Sequence, residues 1–168
     1  MTPPLTVGGP DAYRAALDAL HGGRDVLLPG EELSVAQEIA LKDEAAMLGR
    51  LVLGPCACTG SLPPGPYGVV GVSPEATAEV VEVLAEKGGR VLPVGSRDLS
   101  AAVCGRATLQ ALAAFDADPV IEAVVLAAER PAGEVAALLR EAARRLGKPV
   151  VSAAPGEARF VLARLDVL

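Results

Sequence analysis

Apolar runs too short to be helices alternate with segments of helical period along nearly the whole chain, and this alternation restricts it to repeated βα units around parallel strands. Leu5 to Val7, Val26 to Leu28 and Leu51 to Leu53 read as strands, separated by helices over Asp11 to Leu20 and from Ser34 to Met47. Gly22 and Gly23 stop the first helix and Gly49 the second, as glycines beyond a helix C-terminus do. Ser34 caps the second helix, whose apolar contacts are assigned to Val35, Ile39, Leu41, Ala46 and Met47. The stretch from Gly54 to Pro66 then breaks every period with its glycines and prolines. It divides the chain into two lobes, Met1 to Leu62 and Pro63 to Leu168.

The second lobe continues the alternation with a strand over Tyr67 to Val72, a helix from Pro74 to Lys87 and a strand near Arg90 to Val94. A helix over Arg106 to Phe115 and the strand Ile121 to Ala127 follow, the latter apolar enough for the covered centre of a sheet. Pro131 to Leu146 presents Val135, Leu138, Leu139, Ala142, Ala143 and Leu146 on one face and Arg140, Glu141, Arg144 and Arg145 on the other. Val150 to Ser152 is the fourth or fifth strand of this lobe, ahead of a last helix over Gly156 to Leu165. A three-stranded first lobe leaves an edge and an apolar face open, so it is expected to pack on the second lobe or on another subunit.

Composition decides what such a frame can bind. Hydrophobic residues make up 51% of the chain but aromatic ones only 2%, so the core is built from Ala, Val and Leu and lacks stacking platforms for bases. The net charge of −6 opposes phosphate backbones and anionic lipid, which argues against nucleic acid and membrane partners. No apolar stretch approaches the roughly 18 residues of a membrane span, and Met1 to Gly9 lacks the zones of a signal peptide, so a cytoplasmic protein is expected. Cys56 and Cys58 flank a single residue, and only Cys104 remains, so reduced thiols are expected rather than a soft-metal site. One histidine, His21, leaves no His-rich cluster, and no metal is predicted.

The run Gly95-Ser96-Arg97-Asp98-Leu99-Ser100, then Thr108-Leu109-Gln110-Ala111-Leu112 and Asp118-Pro119 ahead of Val124-Val125-Leu126, resembles the second domain of FdrA-type acyl-CoA synthetase homologues. The wider relatives of that family are succinyl-CoA synthetase α subunits and NDP-forming acyl-CoA synthetases. Ala12-Tyr13, Ala19-Leu20 and Glu38-Ile39-Ala40-Leu41-Lys42 up to Leu53-Gly54-Pro55 resemble the later half of the same family's CoA-binding Rossmann domain. The likeness runs from roughly Leu5 to Ser152. It implies an α/β fold in which a partial Rossmann lobe of CoA-binding type precedes a flavodoxin-like, succinyl-CoA synthetase-like domain. It also implies CoA as cofactor, with Gly54 and Pro55 beside it, and either a homo-oligomer or a partner subunit carrying an ATP-binding domain.

The departures narrow what the resemblance can mean. The family's Gly-rich phosphate turn has no counterpart, since Gly8-Gly9-Pro10 reads as an ordinary loop into a helix. Succinyl-CoA synthetases carry their phosphohistidine in a Gly-His-Ala-Gly loop, where this chain has Ser152-Ala153-Ala154-Pro155-Gly156, so that relay has no nucleophile here. Glu75 in the first turn after Ser73-Pro74 supplies the negative charge a phosphate would bring to that helix. Aligned without gaps, Ala57 falls at the family's cysteine beside the CoA pantetheine.

Glu129 falls where succinyl-CoA synthetases place a glutamate against the phosphohistidine, and it is the candidate catalytic residue; the alternative is a solvated side chain before a helix start. Ser73, Ser96, Arg97 and Asp98 are the candidate ligand-binding residues, with Arg97 and Asp98 either contacting an anion or stabilising their own loop. The expected function is that of an accessory or degenerate subunit of an acyl-CoA synthetase or acyl-transfer system without phosphohistidine chemistry of its own. The alternative is a non-catalytic oligomeric interaction or small-anion-sensing module.

Overall fold

The computed structural model describes residues 3–55, 60–131 and 133–165, and within them strands and helices alternate as two parallel sheets. Cys56, Cys58 and Ala57 lie outside the described residues, while Cys104 is a free, half-buried thiol. The first sheet has the order β1 (Leu5–Thr6), β2 (Val26–Leu27), β3 (Val52–Leu53), connected through α1 (Ala12–His21) and α2 (Val35–Met47).

The second sheet contains β4 (Tyr67–Gly71), β5 (Gly89–Pro93), β6 (Ala123–Ala127) and β7 (Val150–Ala153) in the order β5-β4-β6-β7. Its connections are α3 (Pro74–Leu84), α4 (Arg106–Ala117) and α5 (Gly133–Arg145), with α6 (Ala158–Leu165) after β7. The chain therefore has an α/β fold of Rossmann-like topology, and Val150 begins the fourth strand of its sheet.

Side-chain alternation assigns the layers. From β6, Ala123, Val125 and Ala127 pack with α3 and α6 residues such as Val80 and Val161, whereas Val124, Leu126 and Ala128 pack with Leu112 and Phe115 of α4 and Leu139 of α5. Every β6 residue is buried, which is why the strand reads as a continuous apolar run rather than an alternating one.

The first sheet follows the same rule with a different partner on its second face. Val26, Leu28 and Val52 face α1 and α2, but Leu51 and Leu53 belong to the cluster that contains Val70, Val94 and Phe115 of the second sheet and its helices. The open apolar face expected from a three-stranded unit is thus covered within the chain at β3, while Thr6 on β1 stays exposed.

α2 corrects the sequence reading. Ser34 caps it as expected, its hydroxyl accepting from Gln37 N, and a reciprocal bond from Ser34 N to Gln37 Oε1 completes a capping box. Its buried stripe, however, is Glu38, Leu41, Lys42 and Ala45, whereas Val35 and Met47 are exposed, Met47 by 77%. The stripe keeps helical spacing but is split: Leu41 and Ala45 face the hydrocarbon of the first sheet, while Glu38 and Lys42 face other charges.

The segment leading into β4 is pinned along the turn before β5. Leu62 packs against the α3–α6 cluster and the Pro63 carbonyl accepts from Gly89 N at 2.7 Å. Gly88 has φ +78°, and a Cβ there would lie 2.5 Å from the Pro64 carbonyl oxygen, so only glycine lets the two backbones cross. Among the described residues, no helix is long and apolar enough to cross a membrane.

Candidate functional site

Parallel strands deliver their C-terminal ends to one side of a sheet, and in the order β5-β4-β6-β7 the connections diverge between β4 and β6. Crevices for ligands open at such a divergence. Here the loops after β4, β5 and β6 enclose a cleft of about 300 Å³, to which they contribute Ser73, Ser96 and Ser100, and Glu129 with Arg130.

Each loop is held by its own local chemistry. Ser73 caps α3, its Oγ accepting from Ala76 N while its carbonyl accepts from Thr77 Oγ1 at 2.7 Å. The cap uses the hydroxyl as acceptor, which leaves its proton for a ligand. Ser100 Oγ accepts from Val103 N, and Ser96 is exposed in the cleft. Glu129 follows the buried Ala128 and is itself exposed, and Arg130 is ion-paired to Glu157. Three of the residues expected from sequence, Ser73, Ser96 and Glu129, therefore meet in one cleft.

Arg97 and Asp98 do not join them. Asp98 is fully buried and acts as a remote cap for α4, which starts from Gly105 without a side-chain cap of its own. Its Oδ1 accepts from Ala107 N at 3.1 Å, and its Oδ2 accepts from Thr108 N at 2.8 Å and Thr108 Oγ1 at 2.6 Å. Oδ1 also receives Lys42 Nζ at 2.8 Å, and the same ammonium donates to Glu38 Oε1 at 2.7 Å and to the Val94 carbonyl at 3.3 Å. The ligand role for Asp98 gives way to loop stabilisation, because every acceptor direction of its carboxylate is occupied within the protein.

Arg97 closes the cluster from outside. Its Nη2 lies 3.1 Å from Glu38 Oε2 but is aligned on the Leu33 carbonyl at 3.2 Å, so that carboxylate oxygen is neutralised without an aligned N–H. Arg106 adds a second tie between the halves, its Nε 2.6 Å from Asp43 Oδ1 on α2. Lys42 at the centre was not singled out from sequence. The available signal was the i, i+4 spacing of Glu38 and Lys42 within a stripe completed by Leu41 and Ala45, which an exposed ion pair mimics.

Gly54 and Pro55, the residues expected beside a cofactor, sit at a backbone crossing. Both are buried, Gly54 N donates to the Pro93 carbonyl at 2.9 Å, and Gly95 passes directly over them. Gly95 has φ +95°, and a Cβ on it would fall 2.5 Å from the Pro55 carbonyl oxygen. These residues join the end of β3 to the end of β5. Among the described residues, no group of three or more His, Cys, Asp or Glu side chains is arranged to hold a metal ion.

The chain is similar to the uncharacterized protein YahF of Escherichia coli strain K12, with 34% identity over 161 residues. That match takes in 88% of this chain but 31% of the relative, so the chain spans about a third of the curated protein it matches. No family model matches the sequence.

Proposed function

We propose that the chain is an FdrA-like, succinyl-CoA synthetase α-like accessory subunit that binds a CoA-linked or acyl ligand for an acyl-CoA synthetase or acyl-transfer system. In this reading the first sheet is a partial unit of CoA-binding type and the second a flavodoxin-like unit of the succinyl-CoA synthetase kind. The observation that carries the proposal is the cleft at the divergence of β4 and β6, where Ser73, Ser96 and Glu129 come together. Ser73 and Ser96 offer hydroxyl donors to a carbonyl or carboxylate, and Glu129 accepts a hydrogen bond from a ligand amide or hydroxyl. The single histidine, His21, lies at the end of α1 and pairs with Glu44 at 2.8 Å, so a phosphoryl relay is assigned to a partner chain with an ATP-binding domain.

Calorimetry with CoA and acetyl-CoA, run beside thermal shifts, tests this reading. Saturable binding in the micromolar range is expected, weakened about tenfold in Ser96→Ala and in Glu129→Ala by loss of one hydrogen bond to the ligand. Neither heat nor shift at millimolar ligand would overturn it. A non-catalytic interaction module would then be the better reading, favoured by the exposure of Met47 and Phe160 at 77% and 73%.

A further inference from the structure

A second opening, larger than the cleft, lies beneath α5. α5 approaches the strands less closely than α3, α4 and α6 do, and of its apolar face only Val135 and Leu139 are buried. The space between it and the sheet is a groove of about 600 Å³. Its floor is mostly hydrocarbon, from Leu112 of α4, Leu126 of β6 and Val150 of β7 beside the hydroxyl of Ser152, and its helical wall is Ala136, Leu139 and Ala143. Volumes of this size hold small-molecule ligands, and a mainly apolar lining with a few polar groups is the usual composition of such sites.

The mouth is basic although the chain carries a net charge of −6. Arg130, Arg140 and Arg144 stand at it with Glu129 and Glu157. Arg130 is held by Glu157 and Arg144 by Glu141, the latter at 2.5 Å. Among the described residues, no carboxylate pairs with Arg140, so one guanidinium at the rim retains its planar pair of donors. Apolar length ending at a guanidinium without a carboxylate partner complements a hydrocarbon chain bearing a terminal anion, of which a carboxylate is the simplest.

We infer that the groove under α5 is a binding site for a medium-chain monocarboxylate, its chain on Leu112, Leu126 and Leu139 and its carboxylate on Arg140. The groove shares the Glu129–Pro131 corner with the serine cleft, but this inference requires neither CoA nor a partner chain. α5 keeps its few sheet contacts through Val135 and Leu139, and a bound chain fills the space that Ala136 and Ala143 are too small to occupy.

The test is titration of the 168-residue chain with octanoate and, separately, with octanol, followed by calorimetry and by methyl resonances. Octanoate is expected to bind saturably, to shift the Leu112, Leu126 and Leu139 methyls, and to bind about tenfold more tightly than octanol. Arg140→Gln should lose that preference while its circular dichroism is unchanged, and Ala143→Leu, which fills the groove with hydrocarbon and so keeps the fold, should abolish binding. Absence of saturable binding at ten-millimolar ligand, or binding unaltered in Ala143→Leu, would overturn the site. Equal affinity for octanol, or octanoate binding untouched by Arg140→Gln, would overturn the anionic class of ligand.

Discussion

The two sheets are built from the same kind of unit but reach stability by different means. In the second, strands of four or five residues pair along their whole length and are covered on both faces by their own helices. In the first, strands of only two residues pair, and half of one strand's side chains are buried in the neighbouring sheet's core. What the first sheet lacks in ladder length is supplied by contacts across the chain: Leu51 and Leu53 in the shared cluster, Gly54 against Pro93, and the ammonium of Lys42 between Glu38 and Asp98. A short sheet becomes stable by being fastened, and here the fastening includes buried charge.

The most direct way to break this contrast is Lys42→Met. It leaves Asp98 buried without its cation and Glu38 with Arg97 alone, a change that costs about 3 to 5 kcal/mol. Urea unfolding should record that loss, and hydrogen exchange should show amides of β1–β3 losing protection before those of β4 and β6. A uniform loss across both sheets would erase the distinction between them. Gly95→Ala acts on the same joint through the backbone, since a left-handed φ and contact with the Pro55 carbonyl make alanine cost about 1 to 3 kcal/mol. Its effect should add little to that of Lys42→Met if both release the same joint, a non-additivity that a double-mutant cycle measures.

Ser73→Ala sharpens the comparison from the other side. Loss of the α3 cap should cost about 1 kcal/mol, seen in thermal unfolding, and leave the exchange order of the first sheet unchanged. The smallest effect concerns acid. Asp118, at the end of α4, accepts from Val120 N at 2.9 Å and lies 2.8 Å from Arg90 Nη2; the backbone N–H first, and then the guanidinium, hold its carboxyl below the usual range.

A lowered folded-state value means that the stabilisation is present above the unfolded-state value near 3.9 and is lost as pH falls through the lower one. Asp118→Asn should therefore cost at most about 1 kcal/mol at pH 7 and progressively less as pH falls below the unfolded-state value, flattening the acid limb of the stability profile.

How far the sequence carried this picture depends on which forces fixed each residue. Helix and strand positions were legible because period and punctuation are local: Gly22 ends α1, Ser73 opens α3, and the run through Val124 is a buried strand. Ser73, Ser96 and Glu129 were each named from sequence but not as a group; they meet because each follows a parallel strand and such strands end on one side. The buried face of α2 was not legible. Hydropathy placed Val35 and Met47 inward and left Glu38 and Lys42 out, since nothing within thirteen residues of helix announces an aspartate 56 positions further on. Asp98 was seen, with loop stabilisation as one of its two readings, but its partners were hidden for the same reason, being the amides of a helix start and an ammonium from the other sheet. The free state of Arg140 depends on where Glu141 turns, which periodicity does not encode.

The placement of Leu51 and Leu53 also bears on how such a chain can be recombined. Because both side chains complete a cluster otherwise drawn from residues 70–139, the stretch ending at Leu53 is fitted to the surface it meets, as a plug is to its socket. Exchanging it for the equivalent stretch of a diverged homologue would join two surfaces shaped for other mates. A working chimera would have to carry along the Gly95 loop and the face of α4 that presents Ala107 and Ala111, so inheritance of this fold runs through the seam rather than around it.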